Sequence, residues 1–404
     1  MTNVSRDSMD SRDSMDSRLI NSNSSNSSNL STPRAEGAEA INHYSTARTW
    51  VEIDRAALLQ NLSAIRTAIG SKAEILAVVK ADAYGHGATE VARTIASEVA
   101  YFGVACLDEA LPLLPFGRDV VLLSPCLPAE RPEAVAHDLI VTVSSSAEAR
   151  AFAQHGPIRM TLKIDTGMGR VGCLPELAEI AVREILAEPQ ITLHGIATHL
   201  SAADEDDPFT QRQLSDFTNL RQRLAPLAPK AKWHSLNSAG IFLHGDAAGD
   251  IVRAGLALYG IAEPSVFQPR LRPALAWKAR VALVRDLPAG HTISYGHTHT
   301  LARPTRTAIV SLGYADGLLR SAATKAHVLI AGHRCPVLGR ITMDQIVVDT
   351  TDVSATVQPG DEVVIIGKQG NEEILATDLA TAAGTIPWEI FTSIHGRIKR
   401  FFSE

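Results

Sequence analysis

The chain has 404 residues, of which 45% are hydrophobic, so it can bury a sizeable core. At about 150 residues per domain, this length suggests two or three domains and argues against a disordered or fibrous chain. The 38 Lys and Arg residues and 44 Asp and Glu residues leave a formal charge of −6, without a long run of either sign. This balance argues against nucleic acid and anionic membrane surfaces as partners.

The sequence also lacks the patterns of membrane spans, secretion signals and metal sites. No apolar stretch approaches the roughly 18–20 residues of a membrane span, and the first residues lack a signal pattern, so we expect a cytoplasmic protein. The cysteines are too scattered for a disulfide framework, and no two have the CxxC spacing of a zinc or redox site. We therefore predict no metal site and regard the four thiols as core or bystander groups: Cys106, Cys126, Cys173 and Cys335.

Residues 1–47 differ in composition from the rest of the chain. They contain SRDSMD twice, from Ser5 to Asp16, and then a Ser/Asn tract that ends near Ser31. Such a segment has too little apolar surface to offset the entropy that ordering it would cost. We therefore predict that residues 1–47 are a disordered tail outside the fold.

The central part of the chain has the pattern of a parallel barrel. A strand-like segment at Trp50 leads to Asp54, which can cap a helix with Leu58, Leu62, Ile65 and Ile69 on one face. Uniformly apolar runs separated by helices indicate a parallel sheet covered on both faces, and eight βα units favour a closed barrel. We predict an α/β, TIM-like (β/α)8 barrel over residues 48–272, with these strands: Ile75–Val79, Tyr101–Val104, Val120–Leu123, Leu139–Val143, Arg159–Ile164, Thr192–Thr198, Lys232–Ser235 and Ile251–Val252.

The pattern changes after Tyr259. Prolines among polar residues between Pro264 and Pro273 predict a linker. Apolar runs bounded by turn signals then predict a mostly β C-terminal domain over residues 273–404, with one short helix at Thr377–Ala383. The predicted strands of this domain are Ala279–Val284, Thr307–Ser311, His327–Ala331, Gln345–Val348 and Glu362–Ile366.

Polar residues follow several of the predicted barrel strands, so they should share the rim where barrel enzymes place their active sites. Lys80 ends the first strand, where burial lowers the pKa of a lysine toward the neutral amine that attacks aldehydes. A lysine that snorkels at the barrel mouth is the simpler interpretation of this position alone. Tyr84 follows in Tyr84-Gly85-His86-Gly87, and the other rim residues are Arg170, His199, Asn237, Ser238 and Arg253.

Eight segments of the chain resemble, in this order, the signature segments of alanine racemases, pyridoxal 5'-phosphate (PLP) enzymes with a barrel and a β domain. They are AVVKADAYGHG, KIDTGMGRVG, THLSAADED, HSLNSAG, VRAGLALYG, ISYG, SLGYADGLLR and GRITMDQ. The resemblance extends from roughly Trp50 to Arg400. It implies an isomerase that interconverts L- and D-alanine and, in a bacterium, supplies D-alanine for peptidoglycan.

The resemblance also implies two catalytic bases on opposite faces of the substrate, as racemisation by proton transfer requires. Lys80 would hold PLP covalently and act as one base, and Tyr295 would be the other. In this family the tyrosine comes from the partner subunit, so a homodimer with shared active sites is implied. A free phenol has a pKa of about 10, and Arg170 and His199 match the positions whose side chains would favour its phenolate.

Further matches concern the cofactor. Arg253 would contact the pyridine nitrogen and leave it unprotonated, which weakens the electron sink and should suppress transamination. His199 would link Arg253 to Tyr295. The phosphate would meet neutral donors at loop and helix starts: Tyr84, Ser238 and the backbone N–H groups of Gly255 and Leu256.

The remaining matches concern the substrate and its access route. The substrate carboxylate would meet Arg170 and, across the dimer, the backbone at Met343 and its neighbour Asp344, while Tyr314 would narrow the entrance. Lys163 corresponds to a lysine that positions the matching arginine and is carbamylated in some members. Two positions differ from many relatives. Thr342 replaces a cysteine, and Gly396 stands where some members have a tyrosine near the phosphate and entrance, so a wider channel could admit serine.

Three other functions are weighed against alanine racemisation. A racemase of broader scope, or a serine racemase, would differ only in the size of its pocket. A decarboxylase of similar architecture would be expected to oppose the pyridine nitrogen with a carboxylate, which Arg253 contradicts. A non-catalytic PLP-binding protein would share the lysine strand but lack the β domain that contains Tyr295 and Met343.

Overall fold

The computed structural model describes residues 46–71 and 73–403. The predicted tail, residues 1–47, lies outside these ranges apart from Thr46 and Ala47. None of the helices within the described ranges combines the length and apolar content that a membrane crossing requires.

The described chain begins with strand β1 (Thr49–Asp54) and helix α1 (Arg55–Ile69). Asp54 accepts the backbone N–H of Ala57 at 2.9 Å, which satisfies one of the free donors in the first helical turn. The apolar side chains predicted on one face of this helix are buried: Leu58, Leu62, Ile65 and Ile69. The predicted helix and its cap are therefore confirmed.

Eight parallel strands form the first sheet, as predicted. Their order is β8-β7-β6-β5-β4-β3-β2-β9, with β2 (Glu74–Val78), β3 (Tyr101–Val104), β4 (Asp119–Leu122), β5 (Ile140–Val143), β6 (Ile158–Lys163), β7 (Ile191–Ala197), β8 (Lys232–His234) and β9 (Ile251–Ala254). Backbone hydrogen bonds join the last two strand segments, from Asp250 N to Trp233 O at 2.7 Å and from Arg253 N to Leu236 O at 3.0 Å. These bonds close the sheet into a barrel.

Helical segments follow the barrel strands, and the first of them carries Lys80 and Tyr84 of the rim. They are α2 (Lys80–Gly85), α3 (Ala88–Ile95), α4 (Leu107–Ala110), α5 (Arg131–Ala136), α6 (Ser146–Ala153), α7 (Ala178–Leu186), α8 (Asp207–Leu224) and α9 (Ser238–Leu243). The barrel strands are buried along almost their whole length, which explains why they appear in the sequence as continuous apolar runs.

Most of the strands after the barrel join a second, mostly antiparallel sheet. They are β10 (Leu275–Leu287), β11 (Thr292–Ile293), β12 (His299–Thr300), β13 (Thr305–Val310), β14 (His327–Ile330), β15 (His333–Leu338), β16 (Ile346–Asp349), β17 (Glu362–Gln369), β18 (Glu372–Ile374) and β19 (Lys399–Ser403), with helices α10 (Ala376–Ala383) and α11 (Pro387–Ser393) before β19. β11 and β12 pair separately, while the other strands form a nine-stranded sheet with β1, in the order β18-β17-β14-β15-β16-β13-β10-β1-β19. An additional β17–β10 pairing closes six of these strands into a ring.

β1 lies in this second sheet and not at the start of the barrel, where its position in the sequence had placed it. It pairs antiparallel with β10 and parallel with β19, so Trp50 lies opposite Lys278 on one side and Lys399 on the other. Its side chains alternate partly between buried and half-buried, a pattern typical of a sheet with one covered face. We keep residues 48–272 and 273–404 as proposed domain limits, with β1 contributed by the first range to the second sheet.

Candidate active site

A cavity of about 750 Å³ opens at the C-terminal ends of the barrel strands. Its wall includes these residues singled out from the sequence: Lys80, Tyr84, Lys163, Arg170, His199, Asn237, Ser238, Arg253, Gly255 and Leu256. The barrel brings them together because each follows or ends a strand of the same parallel sheet. One surface therefore carries the residues predicted to hold PLP together with Arg170, one of the residues predicted to contact the substrate carboxylate.

Lys80 lies two residues after the end of β2 and starts the segment α2. Burial lowers the pKa of its ammonium group, the charge of Arg170 lowers it further, and Glu109 opposes both effects. A lowered pKa increases the fraction of neutral amine, which is the form that acts as nucleophile or base. A lysine at this position is therefore a better nucleophile or base than a lysine on the surface.

Arg253 is the penultimate residue of strand β9 and is buried in the wall of the cavity. Its Nη2 donates to the carbonyl oxygens of Thr198 and Ser235, both at 2.8 Å, and its Nη1 lies 2.8 Å from Nδ1 of His234. Burial lowers the pKa of Arg253 to about 10, so the guanidinium stays charged at neutral pH. Because these partners are carbonyls and imidazole nitrogens, a full positive charge remains beside the cavity.

His199 follows β7 and is held next to this guanidinium. Its Nδ1 lies 3.2 Å from Nη2 of Arg253. Burial, followed by the charges of Arg253 and Lys163, lowers the pKa of His199 to about 2, so the ring is neutral. Since a guanidinium only donates hydrogen bonds, Nδ1 must accept here, which puts the ring proton on Nε2.

Two hydroxyl groups, those of Ser238 and Tyr84, lie around Gly255 and form a cradle of neutral donors. Oγ of Ser238 accepts the backbone N–H groups of Gly255 at 3.0 Å and Ala257 at 3.2 Å, which leaves its own proton available to donate. A Cβ at Gly255 would lie 2.8 Å from Oη of Tyr84, so only glycine leaves this space open. Burial raises the pKa of Tyr84 to about 12, against a hydrogen bond with Trp388, so the phenol stays protonated and can donate.

Arg170 lies in a loop that is wrapped around the carboxylate of Asp165. Oδ1 of Asp165 accepts the N–H groups of Gly167, Met168 and Gly169 at 2.9, 2.8 and 3.1 Å. Partial burial alone would raise the pKa of Asp165, but these backbone hydrogen bonds outweigh it and lower the pKa. The carboxylate therefore fixes the loop that brings Arg170 to the cavity.

Lys163 is the second lysine of the cavity and ends strand β6. Burial, followed by the nearby charges of Arg253 and Arg170, lowers the pKa of Lys163 well below its ordinary value. A lowered pKa increases the fraction of neutral amine, which is the form that reacts with carbon dioxide. We therefore keep carbamylation of Lys163 as a proposal.

Four predicted site residues lie away from this cavity, on an exposed surface that we call the Tyr295 face: Tyr295, Tyr314, Met343 and Asp344. Three of these side chains are large and exposed, Tyr295 by 69%, Tyr314 by 41% and Met343 by 54%. The segments contact one another, since Tyr314 N donates to Thr342 O at 3.0 Å and Ala315 N to Met343 O at 3.0 Å. Within a single chain, Lys80 and the predicted second base, Tyr295, therefore lie on different surfaces.

The Tyr295 face is also held by ionic and backbone contacts. Arg397 bridges Asp316 at 2.8 Å and Asp344 at 2.9 Å. Oγ of Ser294 donates to the carbonyl of Arg340 at 2.6 Å, which ties the segment before Tyr295 to that before Met343. Gly396 lies beside Tyr314 in the wall of a second cavity of about 420 Å³, and an added Cβ there would meet no atom within 4 Å.

Sequence reasoning did not single out several residues that shape the site. His234 and Asp165 stand inside quoted segments, HSLNSAG and KIDTGMGRVG, but only the folded chain shows what they bind. Trp388 and Ile386 line the cavity from α11 and the residue before it. Nothing in the local sequence around Trp388 predicts this contact, because it depends on how the C-terminal region packs against the barrel.

His86 is a buried histidine next to the cavity. Its Nδ1 lies 2.9 Å from the carbonyl oxygen of Tyr84, and its ring contacts Tyr259 and Phe391 at centroid distances of 4.4 and 4.9 Å. Burial lowers the pKa of His86 to about 4. The folded protein therefore keeps this ring neutral at pH values where an unfolded chain would protonate it.

This pKa shift predicts acid sensitivity with a defined window. Above pH 6.5 neither state is protonated at His86, and between pH 6.5 and about 4 only the unfolded state binds the proton. The contribution of His86 to the free energy of unfolding is thus full above pH 6.5 and falls by about 1.4 kcal/mol per pH unit as the pH drops. Thermal unfolding midpoints at several pH values should fall less steeply for His86→Gln than for the unsubstituted chain, and parallel curves would contradict the assignment.

The fold and this cavity define the class of protein. A parallel eight-stranded barrel with a basic, lysine-containing cavity at the C-terminal strand ends, joined to a mostly β second sheet, is a barrel enzyme with its active site in the βα loops. Sequence models of the family match both parts, "Alanine racemase, N-terminal domain" over residues 53–263 and "Alanine racemase, C-terminal domain" over residues 274–402. The chain belongs to the alanine racemase family, whose members are amino-acid isomerases.

Individual relatives agree with this assignment. An alanine racemase of Methylacidiphilum infernorum is 40% identical over 361 residues, which cover 87% of this chain and 92% of the relative. The crystal structure of alanine racemase from Streptomyces lavendulae matches with a TM-score of 0.80 and 36% identity over 89% of this chain and 97% of that one. The enzyme from Bacillus anthracis, solved with bound L-Ala-P, matches with a TM-score of 0.80 and 33% identity over 89% and 95%.

Proposed function

We propose that the chain catalyses PLP-dependent interconversion of L- and D-alanine as a homodimer in which each active site is shared between subunits. The observation that carries this proposal is the cavity that places Lys80 and Arg253 on one wall. Lys80 supplies a reactive amine, and Arg253 supplies a buried charge that only donates hydrogen bonds. The D-alanine would supply peptidoglycan. That role and the cytoplasmic location stay predictions from the sequence.

The residues of the cavity fit PLP. The cradle at Gly255 would hold the phosphate through the hydroxyl groups of Tyr84 and Ser238, since a Cβ at Gly255 would fill the space between them. Lys80 would bind the aldehyde carbon. Arg253 would face the pyridine nitrogen and leave it unprotonated, because a guanidinium keeps its protons.

The proton transfers are assigned to two groups on opposite sides of the substrate Cα. PLP, when bound, supplies the electron-withdrawing ring that stabilises negative charge at Cα. Nζ of Lys80 takes up or returns the proton on one face, and Oη of the partner subunit's Tyr295 does so on the other. Arg170, held by the Asp165 loop, orients the substrate carboxylate.

The positions of the exposed residues support the proposed homodimer. Tyr295, Tyr314 and Met343 are exposed side chains on one face, and aromatic and Met side chains are enriched at protein interfaces. The described wall of the cavity is formed by other residues, so a second base from this face requires a second copy of the chain. His199 would then donate from Nε2 to the partner subunit's Tyr295 and favour its phenolate.

A racemase that also accepts serine is the second candidate function. The observation in its favour is the open space at Gly396 beside Tyr314, which a tyrosine would fill in some relatives. A hydroxymethyl side chain needs only slightly more room than a methyl group. Substrate breadth is therefore a question of pocket size and not of mechanism.

Chiral chromatography tests the proposed function. Purified protein with PLP is incubated with L-alanine or, separately, with L-serine, and Lys80→Ala serves as the blank. We expect D-alanine to form well ahead of D-serine and to be absent from the blank. Equal formation of D-serine would favour the broader racemase, and PLP binding without either product would favour a non-catalytic PLP-binding protein.

Replacing Arg253 should change the reaction specificity. Arg253→Glu would put a carboxyl group next to the carbonyl oxygens of Thr198 and Ser235, where the protonated form is favoured and can donate to the pyridine nitrogen. We expect racemisation to slow by about 100-fold or more. We also expect transamination, measured as pyruvate formation from alanine, to become detectable. Unchanged specificity in a folded variant would contradict the role of Arg253.

A further inference from the structure

The segment between Lys80 and Tyr84 has a backbone conformation that is rare in proteins. Ala81, Asp82, Ala83 and Tyr84 have φ values of 51°, 53°, 53° and 52°, so they form one turn of left-handed helix. In this conformation Cβ of an L-residue approaches the following carbonyl oxygen, and residues other than glycine adopt it singly and seldom in a row. Such a turn persists only if its surroundings hold it.

The left-handed turn is held at its start by acidic side chains. Oε1 of Glu109 accepts the N–H of Ala81 at 2.7 Å, and its Oε2 accepts the N–H of Ala105 at 2.8 Å. Oδ1 of Asp82 accepts the N–H of Ala88 at 2.7 Å, which ties the turn to the start of α3. These bonds fix the turn to the barrel from which it emerges.

The end of the turn is held by a residue of the C-terminal strand. Nε of Arg400 donates to the carbonyl oxygen of Gly85 at 2.6 Å. The same guanidinium donates to the carbonyls of Ile398 and Ile394, both at 3.1 Å, and its side chain is only 13% exposed. Arg400 thus connects the turn to the segment that leads from α11 into β19.

We propose that Arg400 is a positioning residue that holds the left-handed turn so that Lys80 and Tyr84 face the cavity together. This inference rests on the proposed function, since it assigns Lys80 to the aldehyde and Tyr84 to the phosphate of PLP. Relaxation of the turn to a right-handed backbone would rotate Tyr84 away from Ser238 and Gly255. The phosphate cradle would then lose a donor, while Lys80, at the fixed end of β2, would keep its amine in the cavity.

The preference for PLP over pyridoxal, which lacks the phosphate, measures this effect directly. The full-length protein is dialysed to equilibrium against each compound, and the two dissociation constants are compared for the unsubstituted chain and for Arg400→Gln. We expect the preference for PLP to fall by about tenfold in Arg400→Gln, as loss of one hydrogen bond to a charged phosphate predicts. Lys399→Gln, on the neighbouring exposed residue of β19, should leave the preference unchanged.

The same measurement separates a positioning role from a merely structural one. General destabilisation would weaken the binding of PLP and pyridoxal alike, so an unchanged preference in Arg400→Gln would overturn the proposal. If Arg400→Gln does not fold, Arg400→Lys, whose single ammonium nitrogen replaces three separate guanidinium nitrogens, should give an intermediate preference, and an unchanged preference would equally overturn the proposal. Failure of the unsubstituted protein to bind PLP would instead contradict the proposed function.

Discussion

Lys80→Ala is expected to lose both covalent attachment of PLP and racemisation. The substitution removes the amine that would bind the aldehyde and the base that would serve one face of the substrate. We expect activity to fall by at least about 10³-fold. Absorbance of the bound cofactor, before and after reduction with borohydride, measures attachment, and chiral chromatography measures turnover.

The cavity contains a second lysine, Lys163, so the test must show which of the two lysines binds PLP. The pKa of Lys163 is also lowered, so a neutral amine alone does not distinguish it from Lys80. Position does, because Lys80 is joined to Tyr84 by the left-handed turn, whereas Lys163 is surrounded by Arg253 and Arg170. Borohydride reduction of the unsubstituted protein should label the peptide that contains Lys80 and should do so in Lys163→Ala as well. A label on Lys163 would contradict the assignment.

Tyr295→Phe is expected to stop racemisation while PLP stays bound. The substitution removes one oxygen on the Tyr295 face and leaves every residue of the described cavity wall intact. Loss of a catalytic base predicts a rate reduction of about 10²- to 10⁴-fold. Exchange of the Cα proton with deuterated water should persist for the one enantiomer whose proton faces Lys80. Near-normal turnover would remove Tyr295 from the mechanism.

The barrel and its rim were accessible from the sequence because they depend on local patterns. Apolar runs of strand length recur with helices between them, and polar residues such as Lys80 and Arg253 stand where those runs end. In a parallel barrel the C-terminal ends of all strands lie on one side, so the residues that follow them surround one cavity. The C-terminal strands were predicted more coarsely, because β10 is thirteen residues long and changes partners along its length.

The features missed by sequence reasoning depend on contacts between distant residues. β1 pairs with β10 and β19, more than 200 positions away, and no local pattern specifies those partners. The left-handed turn after Lys80 contains ordinary alanine, aspartate and tyrosine residues, which give no sign of positive φ values. Arg400, which holds that turn, lies more than 300 residues away along the chain.

The roles on the Tyr295 face came from the resemblance to a family and not from the residues alone. An exposed tyrosine in a β domain has ordinary explanations, and a single subunit keeps Tyr295 outside its own cavity. Only in a second copy of the chain could Tyr295 reach the cavity and serve as the proposed second base. We therefore propose that each active site combines Lys80 of one subunit with Tyr295 of the other.

Mixing two inactive variants tests whether the active site is shared between subunits. Lys80→Ala and Tyr295→Phe chains are unfolded together and refolded, or co-expressed, so that mixed dimers form. In a mixed dimer, a shared-site arrangement restores one complete site, with Lys80 from one chain and Tyr295 from the other. Random pairing then predicts about a quarter of the unsubstituted activity. No activity from verified mixed dimers would show that both residues must come from the same chain and would contradict the shared active site.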